Sequence, residues 1–131
     1  MNTPMNTIED IEIYTKNLNF NDMLKWLSDR FEQVDIINQG KVVHDLEVYS
    51  NGCKIPVMVT EKAFGKAWAS IWFKIKPESW SSDKACAQDI NQYCQCRVRF
   101  NASPWQQGEN MDEWCQLDEQ GKESLIEWPN Q

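Results

Sequence analysis

A chain of 131 residues with 41 % hydrophobic and 25 % charged residues has the size and composition of one folded domain with its own core. Lys and Arg total 13 against 20 Asp and Glu, a net charge of −7. A compact surface this acidic repels phosphate backbones, which excludes nucleic acid as the expected partner.

Residues 1–10 are polar and without period and read as a tail; residues 11–131 read as a single domain. Ile11, Ile13 and Thr15 alternate with Glu12 and Tyr14, which predicts a short strand. Phe20, Met23, Leu24, Leu27 and Phe31 then form one apolar stripe at helical spacing. Asn19 is a suitable N-cap and Asp22 suits the positive end of the dipole, so a helix is predicted over 20–33.

The period changes to two after this helix. Val34, Ile36 and Asn38 alternate up to Gln39-Gly40, and Val42, His44, Leu46 and Val48 share one face of a strand over 42–49. Asn51-Gly52 supplies two residues that tolerate positive φ and predicts a tight hairpin. The returning strand, 53–60, carries Pro56, whose missing N–H suggests an edge or a bulge. A turn around Phe64-Gly65 leads into a strand over 66–76, with Trp68 and Trp72 on the face opposite Ile71 and Phe73.

Ser82 caps a second helix, predicted over 82–93. From Cys94 the alternation returns, with Cys94, Cys96, Val98 and Phe100 on one face. Residues 102–112 read as a loop, and 113–117 and 124–128 as strands joined by Asp118-Glu119-Gln120-Gly121. The expected fold class is α+β: an antiparallel β-meander sheet, in the order βαββββαβββ, with two helices packed on one face.

Compartment and chemistry follow from what the motifs offer. The N-terminus has no basic n-region and no apolar h-region, the apolar runs at 55–59 and 67–73 are too short to span a bilayer, and no basic amphipathic helix suits a membrane surface. Together with an odd five cysteines, this predicts a cytoplasmic protein with reduced thiols. His44, the sole histidine, falls mid-strand among apolar neighbours, where a general base lacks a partner and a cleft. Cys94-Gln95-Cys96 in a strand would set two thiols about 7 Å apart on one face. With Cys86 and His44 or Cys115 they could make four ligands, but the spacing lacks the knuckle of structural zinc sites. Neither metal nor cofactor is expected. Asp112-Glu113 and Asp118-Glu119 fall in loop or turn segments, where charge is solvated, and no carboxylate is expected in an apolar frame that would raise its pKa.

Charge is unevenly divided. Residues 101–131 hold Glu109, Asp112, Glu113, Asp118, Glu119, Glu123 and Glu127 against Lys122 alone, together with Trp105, Trp114 and Trp128. Tryptophan supplies anchoring area and carboxylates supply steering. Trp105, Glu109, Asp112, Glu113, Asp118 and Glu119 are therefore the candidate surface for a basic protein partner, and the chain reads as a non-catalytic inhibitor of a nucleic-acid-handling protein, of the immunity or anti-defence type. Two alternatives stand beside it: an enzyme or ligand-binding domain with a cleft near Cys94, Cys96 and His44, and a single-strand binder stacking bases on Trp68 and Trp72 among lysines.

Overall fold

The computed structural model describes residues 9–101 and 113–128; the tail up to residue 8, the segment 102–112 and residues 129–131 lie outside them. Strand β1 (Ile11–Lys16) is followed by α1 (Phe20–Arg30), then β2 (Gln33–Gln39), β3 (Val43–Ser50), β4 (Cys53–Phe64) and β5 (Trp68–Phe73). Helix α2 (Asp83–Cys94) precedes β6 (Val98–Asn101), β7 (Glu113–Leu117) and β8 (Glu123–Glu127). The result is an α+β fold: an open, antiparallel, eight-stranded sheet in the order β2-β3-β4-β5-β1-β6-β7-β8, with both helices on one face.

Local chemistry sets the element ends. Asn19 accepts a hydrogen bond from the Asp22 N–H at 2.8 Å, the capping geometry that its place before the apolar stripe predicts. The helix stops at Arg30 rather than 33, because Phe31 turns to an extended backbone and drops its ring into the core. Ser82 accepts from the Ala85 N–H at 3.2 Å and starts α2. Asn51 and Gly52, at φ 54° and 79°, form the expected turn between β3 and β4.

Pro56 departs from the expected edge or bulge. It pairs with Glu47 inside β4, which is flanked by β3 and β5. The Lys74 N–H donates to the Pro56 carbonyl at 2.9 Å, so both backbone positions of Pro56 face the β5 side, just where the β4–β5 ladder has ended at Phe73. Pro56 accepts from Lys74 but donates nothing, so its missing N–H forgoes a single bond at the end of the ladder.

One face of the sheet carries Ile11, Ile13, Leu46, Val48, Val57, Ile71, Phe73 and Val98, all buried beneath the helices. The loop residue Trp80 stacks on Trp26 of α1 at 5.3 Å between ring centroids and meets Phe73 at 5.2 Å. Asp89 of α2 ties this layer together. It accepts two bonds from the Arg30 Nε and Nη2 at 2.8 Å and one from the Trp80 Nε1 at 2.9 Å.

Among the described residues the other face carries no helix, and it builds a second aromatic layer. Trp128 packs against Tyr14, Phe64, Trp68 and Trp114 with centroid separations of 4.6 to 5.4 Å. The Arg99 guanidinium lies over Trp68 at 4.2 Å and over Trp128 at 4.8 Å, and burial lowers its pKa.

Candidate partner-binding edge

Strands β7 and β8 form the hairpin at one end of the sheet, and among the described residues no strand lies outside β8. Asp118 closes the hairpin. Its carboxylate accepts from the Gln120 and Lys122 N–H groups, each at 2.9 Å, and these bonds, the Lys122 one foremost, hold its pKa below the ordinary carboxylate value. Gly121 takes φ 89°, and a Cβ there would also press on the Asn91 side chain at 3.3 Å. From α2, Asn91 Nδ2 donates to the Asp118 carbonyl at 2.9 Å and to the Cys96 carbonyl at 2.8 Å, which fastens the turn to the body of the protein.

Alternation along the hairpin places Cys115 and Leu117 inward on the helix-bearing side. Glu113, Glu123, Leu125 and Glu127 share that side. Glu113 stands directly opposite Glu127, and Leu125, opposite Cys115, is 61 % exposed. Glu123 pairs with Lys84 of α2 at 3.1 Å. Among the described residues no base pairs with Glu113 or Glu127. Two like charges opposite each other oppose the strand pairing by a few tenths of a kcal/mol.

The structure thus redistributes the candidate residues. Glu113 begins β7, whereas Asp118 and Glu119 follow its far end, about 16 Å away along the strand. Asp118 is occupied within the turn, and Glu119 pairs with Arg97 at 3.0 Å. Trp105, Glu109 and Asp112 lie outside the described residues. Trp114 faces the aromatic layer, edge-on to Tyr14 at 5.7 Å. Glu127 and Leu125 were missed as site residues. Their signal was the alternation of 123–127, which lays Glu123, Leu125 and Glu127 on one side.

The alternative sites are also placed. His44 is 2 % exposed, stacked on Phe20 at 4.1 Å, with its Nε2 2.6 Å from the Glu61 Oε2. The buried mid-strand position is the expected one, whereas the expectation that His44 lacks a partner is overturned by the Glu61 carboxylate. No contact among the described residues joins His44 to Cys94 or Cys96. Those thiols do not occupy a strand: α2 runs on through Cys94, and Gln95 caps it with φ 55°. The splayed geometry expected of C-x-C is replaced by a turn. A groove of about 600 Å³ lies between α2 and the β7–β8 turn, lined by Gln88, Gln92, Gln95, Glu119 and Gln120. Trp68 is buried under Arg99 and Trp128, while Trp72 donates through Nε1 to Asp10 at 2.8 Å and carries Lys74 over its ring at 5.1 Å. A carboxylate at the Trp72 indole opposes phosphate there.

The expectation that no carboxylate sits in an apolar frame is overturned at Asp83. Burial, with Asp10 nearby, raises its pKa to about 6, against an N–H bond from Glu12 that lowers it. Glu12 is raised too, by burial first and then by Asp10. The cause is topological: β1 and β6 pair only at Tyr14 and Thr15, so the Glu12 N–H beyond them turns to the Asp83 carboxylate. Across pH 4 to 6 the folded state keeps a proton that unfolded Asp83, at 3.8, has released. Stability contributed by the neutral carboxyl is therefore full below pH 4 and lost as pH rises through 6. Asp83→Asn keeps the acceptor and should remove that slope. A shift of this size corresponds to roughly 3 kcal/mol, and partial exposure reduces the expected gain at pH 7 to about 1–2 kcal/mol. Urea unfolding of both proteins from pH 4 to 7 measures it, and parallel curves would contradict this account.

No family model, curated protein or solved structure matches this chain. No helix among the described residues is long and apolar enough to cross a membrane, and no three His, Cys, Asp or Glu side chains there are grouped to hold a metal ion.

Proposed function

We propose that the chain is a non-catalytic binding module that docks a basic protein along the β7–β8 edge. The supporting observation is the facing pair Glu113 and Glu127, without an ion-pair partner among the described residues, beside exposed Leu125 on β8. Such a pair weakens the hairpin, and a cationic partner that inserts between the carboxylates reverses the penalty on binding. The edge strand offers backbone groups for strand addition, Leu125 offers an apolar contact, and the acidic excess of the whole molecule steers a basic surface toward it. Nucleic-acid-handling proteins present such basic surfaces, and an acidic edge seated there blocks the phosphate path. The proposal is accordingly a cytoplasmic inhibitor of a protein of that class.

The test uses Glu127→Lys. This change converts a repelling cross-strand pair into an attracting one, so the isolated protein should gain a few tenths of a kcal/mol. Proteins captured from lysate by the native chain and by the variant, identified by mass spectrometry, should differ by loss of a basic partner. That partner should also leave the native chain as salt is raised. Greater stability together with weaker capture marks a surface kept for binding. Equal capture of the same basic protein by both baits would refute the edge as the site.

A further inference from the structure

The opposite edge of the sheet, β2, is apolar where β8 is acidic. Seven large hydrophobic side chains are exposed among the described residues, and four of them, Ile36, Ile37, Val42 and Val43, fall in the β2–β3 hairpin. Val34, earlier in β2, packs against the core, whereas Ile37 is 57 % exposed. Apolar side chains gathered in one place, rather than scattered singly, mark an interaction surface. Among the described residues no strand lies outside β2, and its span, Gln33–Gln39, holds neither Lys nor Pro, the residues that commonly blunt such an edge. Register decides what fits there. Val34 and Ile36 stand opposite Val48 and Leu46; beyond a bulge, Asn38 and Gln39 stand opposite Asp45 and His44. Leu46, Val48 and His44 are buried on the helix-bearing side. Val34, Ile36 and Gln39 therefore share that side, Asp35 and Asn38 share the other, and Ile37 is the extra residue of the bulge.

We infer that β2 pairs antiparallel with β2 of a second copy of this chain, about a two-fold axis that passes between Ile36 and Ile37. This register matches faces along the whole strand. Val34 lies opposite Gln39 of the second copy, Asp35 opposite Asn38, and Ile36 opposite Ile37, and symmetry makes each contact twice. A slip of one residue either way sets an inward side chain against an outward one. Charge agrees with the same register. Asp35 meets an amide, and just past the strand ends Glu32 comes opposite Lys41. Both are exposed, and neither has an ion-pair partner among the described residues. No like charges face each other, so two acidic molecules can join at this edge. The bulge favours a second copy over a foreign strand. A straight strand must oppose one residue to both Ile36 and Ile37, whereas a second copy opposes two residues with two. The two sheets become one continuous sheet with all helices on the same side. This edge lies at the far end of the sheet from β8 and is independent of the proposed function.

Sedimentation velocity of the full chain under reducing conditions, over about 1–300 µM, measures the association, since a small edge interface forms in the micromolar range. The native chain should pass from monomer to dimer. Ile37→Lys should weaken dimerisation at least roughly thirtyfold, because it sets a charge at the axis of an apolar contact. Glu32→Lys alone and Lys41→Glu alone should each weaken it roughly fivefold or more, because each sets like charges opposite at both ends of the pairing. An equimolar mixture of those two variants should dimerise again, since opposite charges then meet at both ends. All three positions are exposed, and circular dichroism of each variant checks that the fold is kept. A native chain that stays monomeric throughout would overturn the inference and leave the edge to a strand of another protein. A dimer untouched by Ile37→Lys, or a mixture that associates no better than its components, would overturn it as well.

Discussion

Trp26→Ala is expected to destabilise the protein by about 3–5 kcal/mol, the range for deleting a large buried aromatic side chain. Trp26 is fully buried in α1, stacked on Trp80 and set edge-on to Phe73 at 6.2 Å. Removing its ring opens a cavity under three elements at once: α1, the loop before α2, and β5. Trp80 would keep its bond to Asp89 and so could not follow the lost ring without breaking that contact. For a domain of this length the melting temperature should fall by roughly 10–20 °C. A loss below 1 kcal/mol would mean that Trp80 and Phe31 close over the gap, and that the layer is held by the Arg30–Asp89 clamp.

The second large effect belongs to the opposite face. Trp128→Ala should cost about 3 kcal/mol, because this one ring touches four other aromatic rings and the Arg99 guanidinium. Its consequence should be more local than that of Trp26. Trp128 follows β8, so hydrogen-exchange protection should fall first in β7 and β8 and last in β3 and β4. Trp128→Phe should recover most of the loss. Uniform loss of protection along the sheet would show instead that the two faces unfold as one unit.

Element order was legible because the hydrophobic period switches between 3.6 and 2, at Phe31, at Ser82 and again from Cys94, four residues before β6 begins at Val98. Spatial order was not. Nothing local in Ile11–Lys16 announces that this strand will lie between β5 and β6, since its partners are more than fifty residues away. Cys94 was misplaced for a different reason: Cys94, Cys96, Val98 and Phe100 satisfy a period of two although the first two lie on a helix end and a turn. Pattern counts side-chain character and is blind to a single left-handed residue such as Gln95. Asp83 was missed because its environment comes from β1, and Trp128 because its partners arrive from four strands. At the candidate edge, the acid-rich composition was readable. Which carboxylates face each other depended on hairpin register, which places Glu113 across from Glu127.

The central place of β1 bears on the order in which this chain can fold. Strands β2 to β5 are joined by short connections and can zip as neighbours; so can β7 and β8. Both groups are local assemblies, and loop-closure entropy favours them early. The strand that precedes the other seven of the sheet in the chain is the one that must join them, through six residue pairs with β5 and two with β6. Synthesis order and assembly order are thus inverted for this strand. Until β6 has emerged, Ile11 and Ile13 have only the β5 side of their slot, and the far edge of β1 stands open to pairing with another chain. Supplying residues 9–18 in trans to a chain that begins at 19 would then restore the eight-stranded sheet by filling that slot.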